Sequence, residues 1–301
     1  MATTTATRMS GRRTAATARI SGIERDTRTK QLLYFVGGAL SFLIVIIPLL
    51  FALFRSVQPA AVIAAAPDPK TFFDLTLDNF RELFVRSNLG RSILNSLIVS
   101  VTTAILTAAV ALLAGYGFSR FRFRVSPILF AIIVLTMMVP FQAILTPLYL
   151  QMNAMHLTDS RIGLILFYTT VNLPFGVFVM RNSFAGVPAE LEDSSHVDGA
   201  GTMRTLFQVM WPLVVPGVAT TALYAFLASW TEFLGALTFI TDPDLYTLPV
   251  DMVNLQQGAY GQVNFGLLAA GAVVAMIPCV VLYAALQRYY VRGLASGAVK
   301  G

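Results

Sequence analysis

Residues 93–117 read ILNSLIVSVTTAILTAAVALLAGYG, a run of 25 residues with no Asp, Glu, Lys or Arg. A helix of about 20 apolar residues is long enough to cross the ~30 Å hydrocarbon layer of a bilayer. Irregular backbone at that depth would leave its N–H and C=O groups unpaired. The run therefore predicts a transmembrane helix.

Five further runs share this composition, at 32–54, 127–149, 162–180, 213–237 and 265–287. Glu232 is the only charged residue in the six runs. The whole chain is 56% apolar and 12% charged, against about 25% charged in soluble domains. We therefore predict an all-α integral membrane protein with six transmembrane helices. Five of the runs contain a proline. Transmembrane helices tolerate proline because neighbouring helices can satisfy the backbone groups that it leaves unpaired.

The segments between the runs define the predicted organisation. The first run is too long for the apolar region of a secretory signal. The segment before it is rich in Thr, Ala and Arg, which suits a disordered cytoplasmic tail or an organellar transit peptide. We favour the tail, because the segment lacks large apolar residues for an amphipathic face. The predicted parts are a tail at 1–31, a first transmembrane helix at 32–54, an extracytoplasmic loop with one short amphipathic helix at 55–92, a five-helix core at 93–287 and a cytoplasmic tail at 288–301.

The distribution of Lys and Arg predicts the orientation. Most of the 21 basic residues lie in the two tails and in the segments that follow the second and fourth runs. Arg120, Arg122 and Arg124 share one short loop. Positive charge is retained in the cytoplasm, so both termini are predicted to be cytoplasmic. The net charge of +6 does not predict nucleic-acid binding, because the basic residues form no single stripe with interleaved aromatics.

One cytoplasmic loop, at 181–212, is too long for a turn and too polar to enter the membrane. Pro188 followed by acidic residues indicates the start of a helix, and Gly199 indicates its end. Residues 202–211 then place Met203, Leu206, Phe207 and Met210 at helical spacing. The pattern predicts a short acidic helix joined at a glycine to a second, apolar one.

This loop resembles the "EAA" loop of the permease subunits of bacterial ABC importers. Asp198-Gly199-Ala200, Phe207, Pro212 and Pro216 match the family pattern in order and spacing. The triplet that names the motif reads Asp193-Ser194-Ser195, which keeps an acid followed by two small residues.

The resemblance extends over about residues 30 to 301. Leu173-Pro174-Phe175-Gly176, Tyr116 with Arg120-Phe121-Arg122-Phe123, and Ser229-Trp230 are similar to the carbohydrate branch of these importers. The end of the chain, Gly297-Ala298-Val299-Lys300-Gly301, is similar to that of maltose-permease G-type subunits.

Membership of this family would imply the type I ABC importer permease fold and a bacterial cytoplasmic (inner) membrane. The implied partners are a second permease subunit, a dimer of ATPase subunits and an extracytoplasmic solute-binding protein. The loop would serve as a coupling helix that offers carboxylates to basic residues of the ATPase. An ordinary solvated acidic linker is the alternative. The expected coupling residues are Glu190, Glu192, Asp193, Ser194, Ser195, Asp198, Gly199 and Ala200.

The sequence carries no sign of an enzyme. A Walker A motif needs Gly-Lys, but the three lysines follow Thr29, Pro69 and Val299. We therefore expect ATP to be bound and hydrolysed by a partner ATPase, with no cofactor on this chain. His156 and His196, the only histidines, do not have the spacing of a metal-binding pair.

Polar residues inside the runs are candidates for a translocation path. A buried carboxylate costs about 2.5–3.5 kcal/mol at the bilayer centre, so Glu232 needs an explanation. Trp230 and Glu232 are predicted to line the path or its gate, with Gln142 and Asn172 as further polar lining. The alternatives are an interfacial carboxylate beside an aromatic residue, and polar contacts between helices.

The predicted function is carbohydrate import by alternating access, driven by ATP. The first alternative is a gradient-driven secondary carrier that uses Glu232 as its ion site. Such carriers usually contain internal repeats, and none is found. A membrane scaffold without transport activity is the third possibility. The sequence does not identify the sugar.

Overall fold

The structure is a computed structural model, which describes residues 6–64, 71, 73–86, 88–257 and 263–298. For residues 6–29, 64, 86 and 288–298 it describes the backbone alone. The chain divides into two compact units, Met1–Arg55 and Ser56–Gly301.

The first unit contains helix α1, Ala6–Ser56, as far as Arg55. Its apolar part, Lys30–Ser56, is 27 residues long and has a mean hydropathy of 2.6, so it suits a bilayer span. The helix begins at Ala6, whereas the sequence predicted a disordered tail over residues 1–31. The tail contains no proline, and adding residues to an existing helix costs far less than starting a new one.

The helices of the second unit, in chain order, are α2 (Ala60–Ala64), α3 (Asp78–Arg86), α4 (Leu89–Arg120), α5 (Ser126–Thr136), α6 (Phe141–Ala154), α7 (Arg161–Ala185), α8 (Glu190–Val197), α9 (Thr202–Arg204), α10 (Trp211–Thr231), α11 (Leu234–Phe239), α12 (Leu248–Gln256) and α13 (Phe265–Ala298). A π-helical stretch, Thr205–Met210, joins α9 to α10, and a 3₁₀ turn, Pro243–Leu245, precedes α12.

Across the described residues, five helical stretches are long and apolar enough to cross a membrane. A sixth is obtained if α5 and α6 are counted as one span, which is broken by a bend of 99° between the two helices. The sequence predicted one helix over 127–149. Pro140 explains the break: it lacks an N–H, it disfavours helical backbone at the residue before it, and its own backbone is extended, with ψ of 122°.

The fifth predicted run also ends early. The sequence extended it to residue 237, but α10 stops at Thr231 because Glu232 has an extended backbone, with ψ of 131°. A separate short helix, α11, follows. By contrast, Pro174, Pro216 and Pro278 lie inside continuous helices. Proline alone therefore does not decide where a span breaks.

The core of the second unit is the packing of α4, α7 and α10. Small residues bring these helices close together. A Cβ atom at Gly115 of α4 would lie 2.5 Å from the Met180 Cβ and 2.8 Å from the Arg181 backbone nitrogen, both on α7. At Gly176 of α7, a Cβ would lie 2.8 Å from a methyl group of Thr221 on α10. The missing side chains therefore set the distances between helices.

The other end of α4 is tied to the segment before α12. Arg91 forms an ion pair with Asp244. The Asn95 side-chain amide donates to the carbonyl oxygens of Asp244 and Tyr246, each at 3.0 Å. The Ser96 hydroxyl accepts from the Leu248 backbone N–H at 2.7 Å. These bonds satisfy backbone groups that the interrupted helix would leave unpaired.

A second connection at this end joins the turn before α7 to the end of α11. The Asp159 carboxylate accepts from the Thr241 hydroxyl at 2.6 Å and from the Asp242 N–H at 2.9 Å. The bond from the Thr241 hydroxyl, helped by the Thr241 N–H, lowers the pKa of Asp159 below its ordinary value.

We predict that this connection weakens in acid. A carboxyl group whose pKa is lower in the folded protein stabilises the fold above its unfolded pKa, and this stabilisation is lost as pH falls through the folded pKa. Amide hydrogen exchange at Thr241 and Asp242, corrected for intrinsic rates, should accelerate as pH falls below about 4. The Asp159→Asn variant should exchange fast at every pH. Equal protection of both proteins at neutral pH would contradict this assignment.

We also predict that Gly115→Ala destabilises the protein by about 1–3 kcal/mol, because the new Cβ meets backbone that has no room to move. Gly117→Ala is the matched control, since a Cβ there has nothing within 4 Å. Thermal unfolding in detergent should show a lower midpoint for the first variant and an unchanged or slightly higher one for the second. Equal midpoints would mean that the α4–α7 contact is not tight.

Candidate functional site

Helix α8 starts and stops as the sequence indicates. Glu190, Glu192 and Asp193 occupy its first turn, where carboxylates interact favourably with the helix dipole. At its end, Gly199 has φ of +78°, which favours glycine. The Gly199 N–H donates to the His196 carbonyl and the Ala200 N–H donates to the Ser195 carbonyl, the pattern of a Schellman motif. The predicted stop at Gly199 is confirmed.

The Glu192 carboxylate points into the protein. It accepts a hydrogen bond from the Tyr116 hydroxyl and lies 3.0 Å from the Arg120 Nε. Arg120 also donates to the carbonyl oxygens of Phe184 and Val187, at 3.1 and 2.8 Å. One guanidinium therefore joins the ends of α4 and α7 to the start of α8. We call Tyr116, Arg120 and Glu192 the brace.

A second internal contact holds α8 to the π-helical stretch. The Ser195 hydroxyl lies 2.8 Å from that of Thr205, and both side chains are buried. Leu206 and Met210 then pack into the same apolar cluster as Phe184 of α7. Helix α8 is thus fixed to the core along one side.

The opposite side of this region is exposed. Ser194 and Gly199 are exposed, and Ala200 is partly buried. The other outward side chains combine charge with apolar surface, and we call them the outer face. They are the carboxylates Glu190, Asp193 and Asp198 and the apolar residues Leu191, Val197, Met203 and Phe207.

The structure changes the roles expected of two loop residues. Glu192 was expected to offer its carboxylate outward, and Ser195 was expected to permit close approach by a partner. Both side chains are buried and bonded within the chain. In a helix, residues three or four positions apart lie on the same face. Residues 192 and 195 therefore share one face, and residues 190, 193 and 197 share another.

Glu232 is the charged residue at the break between α10 and α11. Its carboxylate accepts from the Tyr168 hydroxyl at 2.7 Å and from the backbone N–H groups of Gly235 and Ala236, at 2.9 and 3.2 Å. It therefore satisfies the first turn of α11, whose N–H groups have no partner within their own helix. This role differs from that of an open ion site.

The other predicted path residues are placed differently from one another. Trp230 is 2% exposed, donates to the Ala275 carbonyl and stacks on Phe226, so its ring is not open to a sugar. Asn172 is buried and donates to the carbonyl of Tyr168, one turn earlier. Gln142 is exposed on α6, next to the break with α5. Of the four predicted residues, Asn172 and Glu232 share Tyr168 as a hydrogen-bond partner. Among the described residues, no group of three or more His, Cys, Asp or Glu is placed to hold a metal ion.

Residues 108–296, which include α7, the brace residues and the outer face, match the family described as "Binding-protein-dependent transport system inner membrane component". The chain belongs to this family. It is a multi-pass membrane protein of a transport system, and its membership sets aside the secondary carrier and the scaffold.

Curated relatives cover most of the chain. A putative ABC transporter permease protein, ORF1 of Streptomyces antibioticus, is 38% identical over 75% of this chain and 97% of its own length. The arabinooligosaccharides transport system permease protein AraQ of Halalkalibacterium halodurans is 31% identical over 88% of this chain and 95% of its own length.

A solved structure has the same fold. It is a chain of a bacterial ABC transporter involved in the import of the acidic polysaccharide alginate. The match has a TM-score of 0.75 and 21% sequence identity, and it covers 88% of this chain and 98% of the other. The predicted type I importer permease fold is confirmed.

Sequence reasoning gave Tyr116 no role beyond a family resemblance and used Arg120 otherwise only to predict the orientation, and it did not single out Thr205. One sequence signal was available for Arg120. It lies just after an apolar run of 25 residues, at a position where a basic residue was expected only to set the orientation of the protein in the membrane. The partner of each residue lies more than 60 positions away, except for the Ser195–Thr205 pair.

We predict that Glu192→Gln loosens α8 while leaving the rest of the fold intact. The change leaves Arg120 without its charge partner in a mostly buried site, at a cost of about 3 kcal/mol. Amide exchange across residues 190–197 should then accelerate by roughly 100-fold. Glu190→Gln, two residues away and exposed, is the matched control and should change exchange little. Equal protection in the two variants would show that the brace does not hold α8.

Proposed function

We propose that this chain is the permease subunit of an ATP-driven importer of carbohydrates. The AraQ relative, similar over nearly all of its length, supports both the importer and the substrate class. The motifs shared with the carbohydrate branch, such as Leu173-Pro174-Phe175-Gly176, support the same class. The proposed mechanism is alternating access, in which the helices of two permease subunits rock to open a cavity to one side and then to the other.

The outer face is the proposed docking site for a separate ATPase subunit. Val197 is 87% exposed and Met203 is 63% exposed, and such apolar side chains on a polar loop indicate a contact with another protein. The carboxylates of Glu190, Asp193 and Asp198 would meet basic residues around that contact. The single observation that carries this proposal is that the outer face is exposed while Glu192 and Ser195, on the other side of α8, are buried against the core.

The brace is the proposed path by which ATPase movement reaches the membrane. A helix held only by a flexible loop would move without shifting the spans. Here Arg120 bonds to α8 and to the end of α7 through one rigid guanidinium, and Ser195 binds the stretch that leads into α10. A displacement of α8 would therefore move α4, α7 and α10 together, because interfaces packed this closely do not deform gradually.

The orientation and partners follow from the same proposal. The brace and the outer face lie at the end of α4 that carries Arg120, and the ion pair Arg91–Asp244 lies at the other end. We propose that the Arg120 end is cytoplasmic, with both termini, because it adjoins the basic loop at 120–124. The Arg91 end would then face an extracytoplasmic binding protein. A second permease subunit would complete the cavity, and Gln142 remains our candidate for its lining.

The proposal is tested by affinity purification of the tagged full-length chain in mild detergent, with identification of the proteins that accompany it. We predict that a P-loop ATPase and a second six-helix permease co-purify with the wild type. The double variant Asp193→Arg with Val197→Glu should lose the ATPase at least tenfold and keep the second permease. Asp193→Arg reverses a charge that would meet basic residues, and Val197→Glu puts a charge into the apolar contact, both on the outer face alone.

Met155→Glu is the control, since Met155 is a 58% exposed apolar residue outside the outer face, and it should keep both partners. When the complex is reconstituted with its binding protein, oligosaccharide uptake should require ATP and should survive an ionophore that collapses ion gradients. A wild-type chain that purifies without an ATPase would contradict the proposal, and uptake abolished by the ionophore would restore the gradient-driven carrier.

A further inference from the structure

A pocket of about 450 Å³ lies where α4 ends and α5 begins. Its walls come from one continuous segment, 118–127, which carries both aromatic and basic side chains. Neither the brace nor the outer face uses its interior. The residues that the argument needs are Phe118, Ser119, Arg122, Phe123, Arg124 and Ser126.

The pocket carries positive charge that the chain does not neutralise. Arg122 and Arg124 are exposed, and neither forms an ion pair with an acidic residue in the described part of the chain. A third cation is close by: the Arg181 guanidinium lies 4.2 Å from the centre of the Phe130 ring. Phe130 in turn packs on Phe118 of the pocket wall, at 5.8 Å. By contrast, Arg120 has its partner in Glu192.

The position of the pocket selects a lipid as its occupant. It lies where two apolar helices leave the bilayer, which is the depth of the phospholipid headgroups. Phe118 and Phe123, with ring centroids 6.2 Å apart, give the pocket an apolar wall beside its basic side chains. Basic pockets between membrane helices suit phosphate groups, and two guanidinium groups beside two serine hydroxyls provide several donors to one phosphate.

The surface that continues from the pocket suits an acyl chain. Helix α5 starts at the pocket, at Ser126, and has no buried residue along its length. Ile128, Ile132 and Leu135 are 61%, 52% and 57% exposed. Because they recur at helical spacing, they form an apolar strip that leads from the pocket into the membrane.

We propose that this pocket binds the headgroup phosphate of an anionic phospholipid, with its acyl chains along α5. Arg122 and Arg124 hold the phosphate, Ser119 and Ser126 add hydrogen bonds, and the aromatic side chains contact the glycerol backbone. The lipid would fix the α4–α5 turn at the membrane surface, next to the brace.

The test is native mass spectrometry of the full-length chain in detergent, titrated with dioleoylphosphatidylglycerol or dioleoylphosphatidylcholine. We expect retention of the anionic lipid in preference to the neutral one. Arg122→Gln with Arg124→Gln should reduce its retention roughly tenfold. The control, Arg81→Gln with Arg204→Gln, removes the same charge from two exposed sites elsewhere and should change retention less than twofold.

A second variant separates the pocket from general attraction to charge. Ser119→Trp fills the pocket and keeps both arginines, so it should also lower retention. Unchanged lipid retention in the Ser119→Trp variant, or equal losses of lipid retention in the two double variants, would overturn the proposal.

Two further outcomes concern other occupants of the pocket. Displacement of the lipid by millimolar inorganic phosphate would mean that the site takes a free anion, and would overturn the lipid proposal. Lipid retained by the isolated chain but absent from the complex with its partner subunits would mean that a protein fills the pocket, and would overturn it as well.

Discussion

The close approach of α4 to α7 at Gly115 is the contact on which the other features depend. A Cβ at this position would meet α7 backbone at 2.8 Å, so the two helices touch without side chains between them. This distance brings Arg120, at the end of α4, within hydrogen-bonding reach of the last carbonyls of α7. The brace to α8 therefore exists only because the helices meet closely one turn earlier. Coupling between the outer face and the membrane spans would rest on the same contact.

The broken helices follow a different constraint. Inside a bilayer every exposed N–H and C=O group must find a partner within the protein. At the break between α10 and α11, Glu232 supplies that partner for two backbone N–H groups and is itself bonded by Tyr168. A carboxylate in an apolar run thus has a structural role that needs no transported ion. At the other end of α4, Asn95 and Ser96 satisfy the backbone before α12 in a similar way.

Two surfaces with different proposed partners adjoin at the Arg120 end of α4. Arg120 turns inward to the brace, whereas Arg122 and Arg124 remain outside, in the pocket. A protein contact on the outer face and a lipid contact at the α4–α5 turn would then be separated by only a few residues of chain. In a transporter that moves against the bilayer, the brace would pass force to the helices while the lipid kept the turn at the membrane surface. Three arginines in one loop would therefore do more than orient the protein.

The sequence by itself determined the membrane class, the approximate spans, the stop at Gly199 and the family. These depend on composition, on residues that are near one another in the chain, and on a backbone angle that glycine permits. It did not determine which way Glu192 and Trp230 point, nor that Pro140 breaks a span while Pro174 does not. The two side-chain orientations depend on partners far away in the chain: Tyr116 and Arg120 for Glu192, and Ala275 for Trp230. Only the tertiary structure brings these groups together, because the energy of a buried polar side chain is set by what it meets rather than by its place in the sequence.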